Sequence, residues 1–216
     1  MNLYDVDNEV FNLTFENDVE QEASRYEGFD VVSPDSYNII DDPNGTKALA
    51  CGYNRYFIDV DRKVLDDLRA FAITFDLKIT ENGTANSETS IISFLSNYQN
   101  GSQIPGKTVG WGWLLKYNAD EMALETAKAA DALQLPETWN TRVNISLNTT
   151  YKITIIFDPV RGNAYVIVDD TPIGMVFGSS IPDFSNPSLD NALTIRLNDS
   201  GNCAPVIDNL RIFELS

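Results

Sequence analysis

The chain has 216 residues and a formal net charge of −17, with 43% hydrophobic and 22% charged residues. That length buries roughly 70% of the unfolded surface, enough for a core without covalent staples. The acidity argues against nucleic acid and anionic membrane surfaces, which repel it, and the absence of histidine removes Ser-His-Asp and Cys-His catalysis and every histidine-ligated metal site.

Val10 to Glu16 alternates, with Phe11, Leu13 and Phe15 inward, and reads as the first strand. Asn17 to Thr46 is polar and rich in turn formers, which predicts a long ordered loop. Ala48 to Cys51 and Tyr56 to Val60 read as short strands, and Val64 to Leu68 as a helical turn. Phe71 to Thr80 is the cleanest strand: Phe71, Ile73, Phe75, Leu77 and Ile79 face one way, while Thr74, Asp76, Lys78 and Thr80 face the other.

Ser90 to Ser96 is a strand, Asn97 to Lys107 a loop, and Val109 to Tyr117 a strand carrying two tryptophans. The alanines and leucines of Asp120 to Leu135 favour a helix ended by Pro136; the alternative is a strand at Met122 to Thr126 followed by a helical turn. Val143, Ile145 and Leu147 alternate again. Tyr151 to Asp170 predicts a β-hairpin at the centre of a two-sheet sandwich, turned by Asp158-Pro159-Val160-Arg161-Gly162-Asn163. Pro172 to Phe177 is a short strand, Ile181 to Asn191 a loop, and Leu193, Ile195 and Leu197 lie on one strand face. Val206 to Leu215 is the last strand. Many short strands with turn signals and almost no helix mean an all-β sandwich, read as one domain over residues 1–216.

Cys51 and Cys203 exclude a zinc cluster of thiolates alone. They are either one disulfide, in an oxidising compartment, or two separate buried thiols. No apolar run approaches the ~20 residues of a membrane span, so membrane insertion is not expected. No signal peptide precedes Asn2; the expectation is an exported chain whose leader has been removed, the alternative a cytoplasmic one.

Three pieces resemble the concanavalin A-like lectin/glucanase superfamily, in particular its laminin-G-like branch: Phe71 to Ile79 (FAITFDLKI), Leu147 to Gly174 (LNTTYKITIIFDPVRGNAYVIVDDTPIG), and Val206 to Leu215 with its Asp208-Asn209 pair. The resemblance implies a two-sheet antiparallel jelly-roll with first and last strands side by side. It also implies carbohydrate recognition on a concave sheet face or its rim loops.

In a strand, Trp111, Trp113, Leu115 and Tyr117 share one face, with Trp139 near in sequence. Flat aromatics with hydrogen-bonding rims match sugar rings, so Trp111, Trp113, Tyr117 and Trp139 are the candidate ligand-binding residues; the alternative is that the stripe is sandwich core. Glu16-Asn17-Asp18-Val19-Glu20 resembles the Glu-x-Asp-x-Glu motif of the superfamily's glucanases, in which alternate carboxylates point into one cleft. It departs from that motif at Asn17 and in its place in the chain, so no catalytic residue is assigned.

The resemblance further implies a structural calcium between a Glu after the first strand and an Asp on the last, positions held here by Glu16 and Asp208. The alternative is Glu16 beside Arg211 and Asp208 capping its own turn; Asp59/Asp61 and Asp169/Asp170 are weaker acidic pairs. Asn12, Asn44, Asn82, Asn100, Asn144, Asn148 and Asn198 begin Asn-x-Ser/Thr triplets. The expected function is non-catalytic carbohydrate binding by a module of a secreted or cell-surface protein, with a poly- or oligosaccharide partner. The rival is a protein-interaction or adhesion module on the same scaffold, and a third reading is a glycan-cleaving enzyme.

Overall fold

The computed structural model describes residues 6–33, 36–42, 45–52, 54–67, 70–84, 88–106, 110–126, 142–158, 163–177, 191–198 and 203–215. They form a sandwich of two large antiparallel sheets. The strands are β1 (Val6–Leu13), β2 (Phe29–Val32), β3 (Ile39–Asp41), β4 (Lys47–Ala50), β5 (Tyr56–Asp61), β6 (Phe71–Ile79), β7 (Glu88–Ser96), β8 (Tyr98–Gln99) and β9 (Ser102–Gln103). They continue as β10 (Gly110–Asn118), β11 (Ala123–Glu125), β12 (Arg142–Asn144), β13 (Thr150–Asp158), β14 (Asn163–Val168), β15 (Thr171–Phe177), β16 (Asn191–Leu197) and β17 (Pro205–Leu215). Two short helices, α1 (Val19–Ala23) and α2 (Arg62–Asp67), complete the described elements. No helix among the described residues is long and apolar enough to cross a membrane.

Sheet I runs β15-β14-β13-β6-β17-β4-β3, with β1 against the second half of β17. Sheet II runs β12-β11-β10-β7-β16-β5-β2, and β8-β9 is a separate two-stranded ribbon. The first and last strands lie side by side, with Leu13 opposite Leu210 and Phe11 opposite Ile212. Period-two alternation builds this: on β6 Ile73, Phe75, Leu77 and Ile79 are buried and Thr74, Asp76 and Lys78 half-buried. The inner faces meet where Phe94 of β7 packs edge-on against Phe157 of β13 at 4.5 Å, and where Phe11 of β1 stacks on Phe29 of β2 at 4.8 Å.

Several expectations are corrected. The hairpin β13-β14 occupies a flank of sheet I; the strand at the middle of its path is β6, paired to β13 on one side and β17 on the other. The span read as one long loop, Asn17 to Thr46, holds α1, β2 and β3, elements of five, four and three residues. Pieces that short show no period of their own; they exist because β5 and β4 offer edges to pair with. The first strand ends at Leu13, and Phe15 adopts a φ of 61°, so it enters the core from a bend. Within Asp120 to Leu135 the strand alternative holds for β11, which pairs with β10 and carries the Lys116–Glu125 ion pair at 3.2 Å; residues 127–135 lie outside the described residues.

Candidate functional site

The candidate site is the face of sheet II that looks away from the core. Register puts two rows across it: Asp30, Asp59, Thr194, Leu95 and Trp111, and beside it Val32, Phe57, Arg196, Ser93 and Trp113. Polar side chains in the middle of a strand are expected on a wet face. Here Phe57, Asp59, Ser93, Leu95, Thr194 and Arg196 are all buried.

The β8-β9 ribbon accounts for part of that burial. Tyr98 stacks on Phe57 at 5.2 Å. The Asn100 N–H donates to Asp59 Oδ2 at 2.8 Å. Thr194 Oγ1 lies 2.5 Å from Asp59 Oδ1 and 3.0 Å from the Tyr98 carbonyl; its single proton serves the shorter contact, to the carboxylate. Arg196 Nε donates to Ser93 Oγ at 3.1 Å. Burial pushes the Asp59 carboxyl above the usual range; the bonds from Thr194 and Asn100 oppose this, and nearby Asp30 and Asp61 add to it. With both oxygens engaged, Asp59 latches the ribbon and is not a free base.

The run from Trp111 to Tyr117 does not keep one register phase. Trp113 pairs with Ser93 and Leu115 with Ile92, so two residues of β10 pass one of β7 and the phase inverts. Trp111 and Trp113 therefore take register positions in the outer rows, whereas Leu115 and Tyr117 are buried in the core between the sheets. The side chains of Trp111 and Trp113, and the whole of Trp139, lie outside the described residues. Tyr117 is withdrawn from any surface platform: its hydroxyl donates to Asn82 Oδ1 at 2.6 Å, and Asn82 Nδ2 donates to the Ala119 carbonyl at 3.2 Å.

The segment Glu16 to Glu20 has no strand alternation. It bends and then enters α1, whose N-cap is Asp18, with Oδ1 accepting the Gln21 N–H at 2.9 Å. Glu16 Oε1 accepts the Lys47 N–H at 2.8 Å, so the three carboxylates do not line one cleft. The acid with the structural role here is Glu22, which is buried and accepts hydrogen bonds from Thr14, Phe15 and Asn17.

Asp208 lies opposite Asp76 across β17 and β6, and its Oδ1 accepts the Asn209 N–H at 2.7 Å. Burial raises its carboxyl, the Asn209 bond opposes this, and Asp76, Glu16 and Asp42 raise it further. Lys78 forms an ion pair with Asp42 in the same acidic neighbourhood. Among the described residues no three His, Cys, Asp or Glu side chains come together as a cation's ligand set. Asp61 and Asp170 are exposed, and Asp169 Oδ1 accepts the Lys152 N–H at 2.8 Å. Of the Asn-x-Ser/Thr asparagines, Asn198 is buried with Nδ2 bonded to the Gly52 and Asn54 carbonyls, while Asn100, Asn144 and Asn148 are exposed.

Sequence reasoning missed the latch of Asp59, Thr194 and Asn100. The available signal was a charge inside an apolar run: Asp59 between Ile58 and Val60, and Arg196 between Ile195 and Leu197. It also missed the outer face of sheet I, where Tyr165, Ile156, Ala72 and Phe213 form one row across four strands. Tyr165, Ile156 and Phe213 are half-buried, as is Ile167 in the adjacent row.

No family model and no curated protein matches the sequence. Among solved structures, the fold is similar to the botulinum neurotoxin DC binding domain in complex with SialylT: TM-score 0.58, 14% identity, 97% of this chain and 49% of that chain. It is similar also to that domain in complex with rat synaptotagmin II: TM-score 0.57, 14% identity, 96% of this chain and 49% of that chain. A protein described as the conserved carbohydrate esterase vb_24B_21 of the Shiga toxin-encoding bacteriophage phi24B matches with TM-score 0.58 at 13% identity, over 97% of this chain and 99% of that chain. The chain spans about half the length of the toxin binding domains. At these identities the likeness is one of fold.

Proposed function

We propose that the chain is a non-catalytic carbohydrate-binding module of an exported or cell-surface protein, with its site on the outer face of sheet II. The observation that carries the reading is the register of Trp111 and Trp113, opposite Leu95 and Ser93 in the outer rows of sheet II. An aromatic pair spaced along one strand is what a sugar's apolar face requires. Toxin binding domains of similar fold, solved with SialylT and with synaptotagmin, support recognition as a task this scaffold performs. The phage protein's description raises the enzyme alternative, but a serine esterase of the Ser-His-Asp kind needs a histidine base, and this chain contains none.

The test is titration of tryptophan fluorescence against a panel of oligosaccharides that includes sialylated ones. At least one glycan shifts the emission. Trp111→Ala and Trp113→Ala each weaken it about tenfold or more, about 1.4 kcal/mol, with the melting temperature retained. Silence across the panel ends the reading.

A second reading, a protein-interaction or adhesion module, is favoured by the half-buried row of Tyr165, Ile156 and Phe213 on sheet I, an apolar stripe of the kind protein partners cover. Binding of a protein partner that is lost in Tyr165→Ser and kept in Trp113→Ala selects it. A structural calcium between Glu16 and Asp208 is a separate proposal: a cation there offsets the mutual repulsion of Asp208, Asp76, Glu16 and Asp42.

A further inference from the structure

We infer that Cys51 and Cys203 are the two halves of one disulfide, which closes as the chain folds in an oxidising compartment and ties the end of β4 to the approach of β17. Both are free thiols here, both are buried, and both belong to the one core cluster. Antiparallel register pairs Ala50 with Val206 and Leu49 with Ile207. The Cys51 N–H donates to the Pro205 carbonyl at 2.9 Å, so Cys51 stands opposite Pro205. Cys203, two residues before Pro205, is then its diagonal neighbour on the same side of the ribbon.

Diagonal neighbours are separated by about 7–8 Å, and a disulfide needs Cα atoms within about 7 Å, so closure asks for a shift of about 1 Å. The chain is suited to give it. Cys51 and Cys203 both lie just beyond strand ends, and Gly52 turns the chain with a φ of 53°. Ala204 is meanwhile held by Thr80, whose N–H and Oγ1 both reach its carbonyl at 3.0 Å, which keeps Cys203 near its partner.

The chemistry balances with a small-molecule disulfide, such as oxidised glutathione, as oxidant. One cysteine thiolate attacks a glutathione sulfur and expels a glutathione thiolate. The second cysteine thiolate attacks the resulting mixed disulfide and expels the other. Two protons and two electrons leave the protein, and two glutathione thiols form. Burial pushes the Cys203 thiol up to about 11, with a hydrogen bond to Thr89 pulling the other way. Burial raises Cys51 further, and the charge of Cys203 adds to it. The folded reduced pair is therefore a poor nucleophile, and the bond forms before the core closes over it.

The experiment is refolding of the denatured full chain in a glutathione redox buffer, followed by acid quench, alkylation under denaturing conditions and intact-mass and peptide analysis. The expected result is a protein lighter by two hydrogens, unalkylated, with one cross-linked peptide pair joining Cys51 to Cys203. Its melting temperature stands roughly 10 °C above that of the reduced form, as a bridge closing a long loop predicts. Cys51→Ala and Cys203→Ala, each measured alone, lose the difference between oxidising and reducing buffer. Alkylation of both cysteines after refolding to a native circular dichroism spectrum overturns the inference, and so does a glutathione adduct on one cysteine with no cross-link.

Discussion

The carboxylate of Glu22 accepts the backbone N–H of Phe15 at 3.1 Å, and Phe15 is a non-glycine residue with a φ of 61°. The same carboxylate takes the Thr14 N–H at 2.8 Å and the Asn17 N–H at 3.0 Å. A bend that no strand ladder supports is thus held by one buried acid, and the Phe15 ring is aimed into the core from it.

Glu22→Gln therefore costs about 3 kcal/mol, because an amide cannot accept from donors on both sides. Burial raises the Glu22 carboxyl, but the bonds from Asn17 and Thr14 together outweigh it and the net direction is down. A carboxylate lowered by folding contributes stability above its unfolded value, about 4.3, and loses it as pH falls through the lower folded value. The deficit of Glu22→Gln in thermal melts is accordingly largest near neutral pH and shrinks in acid. A deficit that grows in acid refutes the clamp.

Asp59 behaves in the opposite sense. Its folded carboxyl is raised, chiefly by burial, so the wild type gains stability as pH falls through the folded value toward the unfolded one. Asp59→Asn lacks that gain. Its melting temperature, relative to wild type, is lowest in acid and rises toward neutral pH. In the same variant the amide N–H groups of Asn100 and Gly101 exchange faster with deuterium, since the ribbon loses its latch. Unchanged exchange rates contradict the latch.

Gly174 on β15 is placed where a Cβ would come within 2.5 Å of Thr126 Oγ1 and 2.9 Å of its Cγ2. Thr126 is buried and branched at Cβ, with little room to turn. Gly174→Val overpacks the seam between the sheets and costs about 1–3 kcal/mol. The check is a melt of Gly174→Val alone and combined with Thr126→Ala; the second change restores most of the loss.

Tyr117→Phe removes the hydroxyl partner of Asn82 and costs about 1 kcal/mol, or about 2–4 °C in Tm for a chain of this size. The glycan titration is unchanged in this variant. A loss of glycan binding with no loss of stability would return Tyr117 to the site.

The proposed ion between Glu16 and Asp208 predicts that calcium raises the melting temperature by a few degrees and that chelator reverses the shift. Asp208→Asn abolishes it while retaining the fold. Identical melts with calcium and with chelator end the proposal of an ion between Glu16 and Asp208.

The sequence by itself determined the longer strands of the two sheets and which side of most of them is dry. Alternation such as Ile73, Phe75, Leu77 or Leu193, Ile195, Leu197 is a local property, set by the two-residue repeat of an extended chain. It also excluded histidine chemistry outright. Only the tertiary structure decided the rest, because each remaining feature depends on what another segment brings. The bulge between Trp113 and Leu115 exists in the pairing of β10 with β7 and splits a stripe that reads as continuous. Asp59 is buried because the β8-β9 ribbon lies on it, and β2 and β3 are strands because β5 and β4 offer them open ladders. Local periodicity cannot carry such information, since hydrogen bonds and burial between distant segments are settled only when the sheets close.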